Sequence, residues 1–261
     1  PYFNLRSDLS VVIIANNASL RIGEVIGAAR RVSNDIVVCD SGSDDNTVDI
    51  ANDLGARVIH QNWKGYSATK NIANSYAEHD WVLSLDSDEV MTEELIETIE
   101  GLTFEDHKVY LLNRSNYYCG KRIRFSNWSP DHIPRLFNKK LASWTGGYVH
   151  EKLCFGDNVT KELLKGRLDH YSYESYTQRM DKVLNYAKLS AHERFKKGKR
   201  TNLIWTILTS ISKFHITYII HLGFLDGKAG FQIAITDAIG SWKRNRIMME
   251  LQNNRVPECC K

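Results

Sequence analysis

The chain has 261 residues, of which 43% are hydrophobic and 25% are charged. This composition is that of a globular protein long enough for one α/β domain and a smaller appendage, and it excludes disorder as the main state. The net charge of +3 is unevenly distributed: residues 1–108 carry 8 Lys and Arg against 19 Asp and Glu, whereas residues 109–261 carry 26 against 12.

An acidic first part suits a divalent metal, and a basic second part suits an anionic partner such as phosphate, a phospholipid surface or nucleic acid. The first residues lack the pattern of a secretory signal, so we expect a cytoplasmic location. The five cysteines are odd in number and widely spaced, which predicts reduced thiols rather than a disulfide framework or a zinc ribbon.

Apolar strands and helices alternate through the first 90 residues. The pattern predicts strands at 9–15, 35–39, 57–60 and 81–85, and helices ending near residue 31, at 46–54 and at 66–77. Strands that are apolar on both faces and alternate with helices are typical of a mostly parallel sheet, whose ligands bind at the carboxyl ends of the strands. Residues 109–155 form a more irregular part with short strands at 109–113 and 135–137, which we interpret as the acceptor side.

Helical periodicity dominates from residue 172, with helices predicted at 172–197, 202–222 and 227–251. The second is amphipathic, with an apolar stripe that starts at Ile204 and a polar stripe that starts at Thr206. Lys213 interrupts its apolar stretch, so the sequence predicts an interfacial rather than a spanning helix. The basic run 194–200 precedes it, and such a pair can rest on an anionic bilayer. The alternative is a helix that packs on the protein beside a solvated basic face.

Two acidic loops follow predicted strands. Asp86 and Asp88 stand two residues apart after the buried strand 81–85, where both carboxylates can reach one Mg²⁺ or Mn²⁺ ion. Asp40 ends the second strand, and Gly42 permits a tight turn there; the carboxylate can contact a base or a ribose, or the segment is a polar turn with ordinary capping. Neither a dinucleotide fingerprint nor a P-loop is present.

Four segments together resemble family 2 glycosyltransferases of the GT-A fold: 11–15 (VVIIA), 38–47 (VCDSGSDDNT), 62–71 (NWKGYSATKN) and 81–89 (WVLSLDSDE). They are most similar to the small bacterial branch that includes lipopolysaccharide-core β-glucosyltransferases. The resemblance continues through 130–137, 149–151 and 223–231. One departure is Asn17, which stands where the family usually has a glutamate after the first strand.

The resemblance implies an α/β, Rossmann-like GT-A catalytic domain over 1–170, with a nucleotide-sugar half (1–108) and an acceptor half (109–170), followed by a helical region over 171–261. It implies inverting transfer from a UDP-sugar to a glycan of cell-envelope polysaccharide or lipopolysaccharide, at the inner face of the cytoplasmic membrane, with no nucleic-acid partner. The expected nucleotide-sugar contacts are Asn16, Asp40, Gly42, Gly65, Lys70, Asn71 and Asp86. The expected Mg²⁺ or Mn²⁺ ligands are Asp86 and Asp88, with His170 as a further one.

Inversion requires a base for the acceptor proton that is kept away from the metal, which excludes Asp86 and Asp88. Two carboxylates of the acceptor half remain, Asp131 and Glu151. Glu151 is favoured because it follows the segment 144–148 (WTGGY), whose glycines admit a sugar and whose aromatic rings can stack on one. It also resembles an acidic position that many family 2 enzymes place at the start of a helix. Asp131 alternatively pairs with Arg135 or Arg124 and shapes the pocket.

Two other functions remain possible from the residues. A sugar-1-phosphate nucleotidyltransferase shares related topology, but it needs a Gly-rich basic loop after the first strand, and residues 16–21 (NNASLR) do not provide one. A non-catalytic nucleotide-binding scaffold would keep the same fold, and fold alone does not prove chemistry.

Overall fold

The structure, a computed structural model, describes residues 6–146 and 151–253. Its contacts divide the chain into two compact units. The first comprises the chain up to Ser115 together with Asp131–His170, and the second comprises Asn116–Pro130 and the chain from Tyr171. The domain bounds expected from the sequence stay a prediction; by contacts, residues 116–130 group with the C-terminal helices.

The first part of the chain alternates strands and helices in the predicted order. The elements up to residue 100 are β1 (Arg6–Ala15), α1 (Ile22–Ala29), β2 (Ser33–Asp40), α2 (Thr47–Asp53), β3 (Arg57–His60), α3 (Tyr66–Ser75), β4 (Trp81–Asp86), β5 (Glu89–Met91) and α4 (Glu93–Glu100). The strands that follow are β6 (Lys108–Tyr118), β7 (Lys121–Arg122), β8 (His132–Asn138), β9 (Ala142–Gly146), β10 (Glu151–Phe155), β11 (Thr160–Leu163) and β12 (Leu168–Tyr173).

The main sheet has the strand order β3-β2-β1-β4-β8-β6-β12-β5, in which β1, β2, β3 and β4 are mutually parallel and β8 runs antiparallel to both neighbours. The register places Ala15 opposite Asp40 and Ile14 opposite Asp86. The carboxyl ends of three parallel strands therefore meet at one edge, as the sequence predicts. A short antiparallel pair, β5 with β12, sets His170 opposite Glu89 near that edge.

The central strands are buried on both faces, which explains their continuous apolar runs. In β1, Val11 and Ile13 pack into a cluster with Ile26 of α1, whereas Val12 packs in a second cluster with Ala73 of α3 on the other side of the sheet. The fold is thus α/β with helices on both faces of a mostly parallel sheet.

Four helical segments form most of the second unit: α5 (Tyr176–Lys196), α6 (Leu203–His215) with a π-helical continuation (Ile216–Ile220), a 3₁₀ turn (Gly223–Asp226) and α7 (Lys228–Asn253). The helix predicted from residue 172 starts at 176 instead, because residues 168–173 extend as β12. The Ser175 hydroxyl then caps α5 by accepting a hydrogen bond from the Gln178 amide at 3.1 Å.

Helix α6 is oriented with its polar stripe inward. Thr206, Ser210 and Thr217 are buried, whereas Ile204 and Leu208 on the apolar stripe are 71% and 52% exposed. Residues 203–220 form 18 continuous helical residues of mean hydropathy 1.4, which by length and composition alone could cross a membrane. The choice of an interfacial over a spanning helix therefore stays a prediction.

The 3₁₀ turn approaches the start of α7 so closely that a side chain would not fit. A Cβ atom on Gly230 would lie 1.8 Å from the backbone oxygen of Gly223. Gly27 in α1 has nothing within 4 Å of the same position. Packing thus requires glycine at position 230 but not at position 27.

Replacing Gly230 by Ala should lower the free energy of unfolding by about 2 kcal/mol or more, because overpacking forces the backbone to shift. The matched Gly27→Ala change should be neutral or stabilising by up to about 1 kcal/mol, since alanine favours the helix. Urea unfolding of both variants measures the difference. Equal midpoints for the two would contradict the close approach.

Candidate active site

The loops after β1 and β2 are joined by hydrogen bonds at the carboxyl edge of the sheet. The Asn17 amide donates to the Ser43 hydroxyl at 2.9 Å, and the Asp44 amide donates to the Asn17 side-chain oxygen at 2.9 Å. Asn17 adopts φ of 51°, a conformation that asparagine tolerates better than glutamate. The residue that departs from the family pattern therefore helps to join the two loops.

Asp40 is buried at the end of β2, and its carboxylate is largely used by its own turn. It accepts hydrogen bonds from the Gly42 amide at 3.0 Å, from the Ser43 amide at 3.1 Å and from the Ser43 hydroxyl. Gly42 has φ of 94°, which makes this tight turn easy for glycine only. The role of Asp40 in shaping the loop is observed, and its contact with a nucleotide stays a prediction.

Asp86 stands at the end of β4 between two cations. Its Oδ2 atom accepts a hydrogen bond from Arg135 Nη2 at 2.6 Å, and its Oδ1 atom lies 2.9 Å from Lys70 Nζ. Both cations are almost fully buried. Burial opposes ionisation of Asp86, but the charges of Arg135 and Lys70 outweigh it and hold the pKa of this carboxyl well below its usual range.

This shift has a consequence for stability in acid. Because the pKa of Asp86 is lower in the folded than in the unfolded chain, its ion pairs stabilise the fold above a pH of about 4, the ordinary aspartate value. That contribution is lost as the pH falls further and the carboxyl takes up a proton.

Glu89 is fully buried and connects two arginines. It accepts hydrogen bonds from Arg135 Nε at 2.9 Å and Nη2 at 2.7 Å, and from Arg114 Nη1 at 3.2 Å. Burial alone would lower the pKa of Arg135, but the carboxylates of Asp86 and Glu89 outweigh that effect and raise it. Arg135 thus remains charged inside the protein because two carboxylates compensate it.

The same chain of contacts reaches both candidate bases. Lys70 Nζ donates to Glu151 Oε1 at 2.6 Å, and Arg114 Nε donates to Asp131 Oδ2 at 2.8 Å. Carboxylates and cationic side chains therefore alternate through one connected set, which we call the ionic network. Its members in order are Asp131, Arg114, Glu89, Arg135, Asp86, Lys70 and Glu151.

Two expectations about these bases need correction. Asp131 pairs with Arg114, whereas Arg135, one of the two arginines expected for it, is bound to Asp86 and Glu89. Glu151 begins the strand β10, opposite Gly146 of β9, rather than a helix. Residues 147–150 lie outside the residues that the structure describes. They include part of the segments 144–148 and 149–151 on which the prediction for Glu151 depends.

Asp88, in the turn between β4 and β5, lies close to His170 in β12. Asp88 Oδ2 lies 3.5 Å from His170 Nε2, and the side chains are 38% and 18% exposed. Within residues 6–146 and 151–253, no group of three or more His, Cys, Asp or Glu side chains is arranged to hold a metal. The Asp88 carboxylate nevertheless suits Mg²⁺ or Mn²⁺, and Mg²⁺ commonly takes its other ligands from substrate phosphates and water. An imidazole such as that of His170 is a more usual ligand of transition metals than of Mg²⁺.

The three remaining predicted donor contacts are Asn71, Gly65 and Asn16. The Asn71 side chain donates to the Trp144 carbonyl at 2.7 Å and accepts from the Trp144 amide at 2.9 Å, so that it fastens β9 to α3. Gly65 has φ of 90° at the start of α3. Asn16 is exposed after β1. Contact of these three residues with the nucleotide-sugar donor stays a prediction.

Comparison with known proteins identifies the family of this chain. Residues 10–164 match the model described as "Glycosyl transferase family 2". The chain belongs to that family. An uncharacterized glycosyltransferase of Rickettsia prowazekii is 31% identical to this glycosyltransferase, over 90% of this chain and 85% of the relative. The lipopolysaccharide core biosynthesis glycosyltransferase LpsC of Rhizobium meliloti is 26% identical over 88% of each chain.

Among solved structures, glucosyl-3-phosphoglycerate synthase from Mycobacterium tuberculosis, in complex with Mn²⁺, uridine diphosphate and glucosyl-3-phosphoglycerate, aligns with 42% of this chain and 44% of that one. Its sequence identity is 23% and its TM-score is 0.34. The family match and the sheet topology confirm the expected GT-A fold and a transferase of family 2.

Sequence reasoning did not assign Glu89, Arg114 or Arg135 to the site of this glycosyltransferase. Glu89 directly follows Asp88 in the acidic loop, and Arg135 lies in a segment that carries the family resemblance. The signal that could have found them is charge inside an apolar context: Arg135 immediately precedes the buried pair Leu136 and Phe137 on β8.

Glu89→Gln should destabilise the protein by about 3 kcal/mol or more, because it leaves two arginines near the buried site with one compensating charge fewer. The matched change Glu24→Gln removes an exposed ion pair with Arg21 and should cost less than about 1 kcal/mol. Urea unfolding at neutral pH measures both. A Glu89→Gln variant as stable as the Glu24→Gln variant would show that the network does not hold the site together.

Proposed function

We propose that this glycosyltransferase inverts the anomeric carbon of a UDP-sugar and uses a divalent metal, Mg²⁺ or Mn²⁺. The observation that carries the proposal is the position of Lys70, whose ammonium group lies 2.9 Å from Asp86 and 2.6 Å from Glu151. One buried cation thereby connects the acidic loop of the donor side with the favoured base of the acceptor side.

The donor end of the site follows from the strand ends. Asp40 and Asp86 lie at the carboxyl edge of the sheet, where α/β proteins bind nucleotides. Asp88 and His170 would hold the metal, and Asp86, already compensated by Arg135 and Lys70, would orient the loop that carries Asp88. When bound, the metal ion supplies positive charge that stabilises the departing nucleoside diphosphate.

The acceptor hydroxyl requires a base on the face opposite the diphosphate. As the acceptor oxygen bonds to the anomeric carbon, the bond from that carbon to the diphosphate breaks and the hydroxyl proton passes to Glu151. Glu151 suits this role because its side chain is still 19% exposed while Lys70 fixes its position. Asp131 is 27% exposed and is held by Arg114, so that it better suits a role in shaping the acceptor side.

For the acceptor, we propose a lipid-linked glycan of the cell envelope, in lipopolysaccharide or polysaccharide synthesis. The resemblance to LpsC, named for lipopolysaccharide core biosynthesis, supports this class. The exposed apolar stripe of α6 supports peripheral contact with the cytoplasmic membrane, since packing uses the polar stripe instead. The basic run 194–200 would add attraction to anionic lipid.

The metal and donor assignment predicts the behaviour of Asp88→Asn. With Mn²⁺ present, UDP should raise the melting temperature of the wild type, because a ligand at about 100 times its Kd stabilises by about 2.7 kcal/mol. The Asp88→Asn variant should lose the metal-dependent part of this shift, and release of UDP from UDP-sugars should fall on the order of 10²–10³-fold.

The matched control is Asp80→Asn, which removes an exposed aspartate paired with Lys140 at 2.7 Å and should change neither measurement. Screening UDP-, GDP- and dTDP-sugars in the same assay identifies the donor class. Unchanged metal dependence in Asp88→Asn would refute the metal assignment, and tighter binding of GDP than of UDP would refute the donor.

The base assignment predicts that Glu151→Gln keeps UDP binding while transfer falls by about 10²–10⁴-fold, because glutamine cannot accept the proton. Asp131→Asn should keep more activity, since its partner Arg114 also contacts Glu89. Transfer rates and UDP-induced melting shifts of both variants are the measurements. An active Glu151→Gln beside an inactive Asp131→Asn would exchange the two roles.

A further inference from the structure

A groove of about 490 Å³ lies between α6 and α7, within the second unit and apart from the ionic network. Its lining combines apolar side chains with hydroxyl groups, two cations and one carboxylate. The lining residues are Trp205, Leu208, Thr209, Ser212, Lys213, Ile216, Asp237, Ser241 and Arg244. A lining of this mixed kind suits an amphiphile with a charged head.

The cations of the groove are poorly compensated. Among residues 6–146 and 151–253, no carboxylate forms an ion pair with Arg244, whose Nη2 and Nε donate only to Ser241 Oγ at 3.1 Å and Asn245 Oδ1 at 3.3 Å. Lys213 lies 3.8 Å from Asp237, but the same carboxylate binds Arg179 more closely, at 2.7 Å. The groove therefore carries excess positive charge.

A third cation acts on Arg244 from outside the groove lining. Arg194, in the last turn of α5, is close enough to act on Arg244, and partial burial together with this like charge lowers the pKa of Arg244. A guanidinium group offers five N–H donors, and neutral acceptors occupy only some of them here. A phosphate oxygen would supply the charge that is missing.

The apolar side of the groove is continuous with an exposed surface. Trp205, Leu208 and Ile216 are 58%, 52% and 42% exposed, and each lies on α6 or its π-helical continuation. A free phosphate ion would leave these side chains in water. A lipid phosphate would place its acyl chains against them.

We propose that this groove binds the phosphate headgroup of an anionic membrane phospholipid between Arg244 and Lys213, with the acyl chains along the exposed stripe of α6. The proposal rests on the membrane contact in the proposed function and adds to it a specific headgroup site. It gives the second unit a lipid-binding function separate from sugar transfer.

The test compares Arg244→Gln with Lys243→Gln, a neighbouring exposed lysine of α7 that does not line the groove. Co-sedimentation uses vesicles of phosphatidylcholine alone and with phosphatidylglycerol, at low and high salt. Arg244→Gln should weaken binding to the anionic vesicles about fivefold, the effect of one cation placed at the lipid surface. Lys243→Gln should weaken it less, and UDP-sugar turnover without vesicles should be unchanged in both.

The outcomes distinguish failure of the headgroup site from failure of the membrane contact on which it rests. Equal weakening by the two changes, with the wild type still bound to vesicles, would overturn the groove and leave general membrane contact intact. A wild type that ignores anionic lipid would overturn both. A melting shift with inorganic phosphate that needs Arg244, beside unchanged vesicle binding in Arg244→Gln, would also overturn the lipid assignment.

Discussion

The buried guanidinium group of Arg135 is the interaction on which the rest of the site depends. A charged side chain that is only 4% exposed is tolerated only when carboxylates compensate it, and here Asp86 and Glu89 do so from the end of β4 and the start of β5. This pairing holds the acidic loop against β8. Lys70 and Arg114 then extend the compensation to α3, β10 and β6, and so position both candidate bases.

Stability alone does not explain such a network, since apolar residues of similar volume often stabilise a core equally well or better. Its value lies in pre-organisation. Four carboxylates and three cations leave one negative charge in excess, close to the place where Asp88 and His170 approach each other. A fixed negative charge at that place favours a divalent cation, and the cation would be the group that compensates a departing diphosphate.

The sheet and the acidic edge formed by its strand ends could be predicted from the sequence because their signals are local. Apolar runs such as Leu9–Ala15 define strands, and parallel strands bring Asp40 and Asp86 to one edge without further information. The ionic network could not be predicted because its contacts are distant in sequence: Arg135 and Glu89 are 46 residues apart. The pairing of Asp131 with Arg114 rather than Arg135 was missed for a related reason, since the antiparallel pairing of β6 with β8 brings Arg114 beside Asp131.

Helix α6 shows a different limit of sequence reasoning. Its amphipathic period is clear, but periodicity does not reveal which stripe faces the protein. In a soluble helix the apolar stripe would be buried; here Thr206, Ser210 and Thr217 are buried, and the Asn245 side chain of α7 donates to Thr209 at 2.9 Å. Hydroxyl groups can pack tightly against α7 because each finds a partner within the helices. The apolar stripe then stays available for a surface less polar than water, and the cations of Lys213 and Arg244 at its border favour one that carries phosphate.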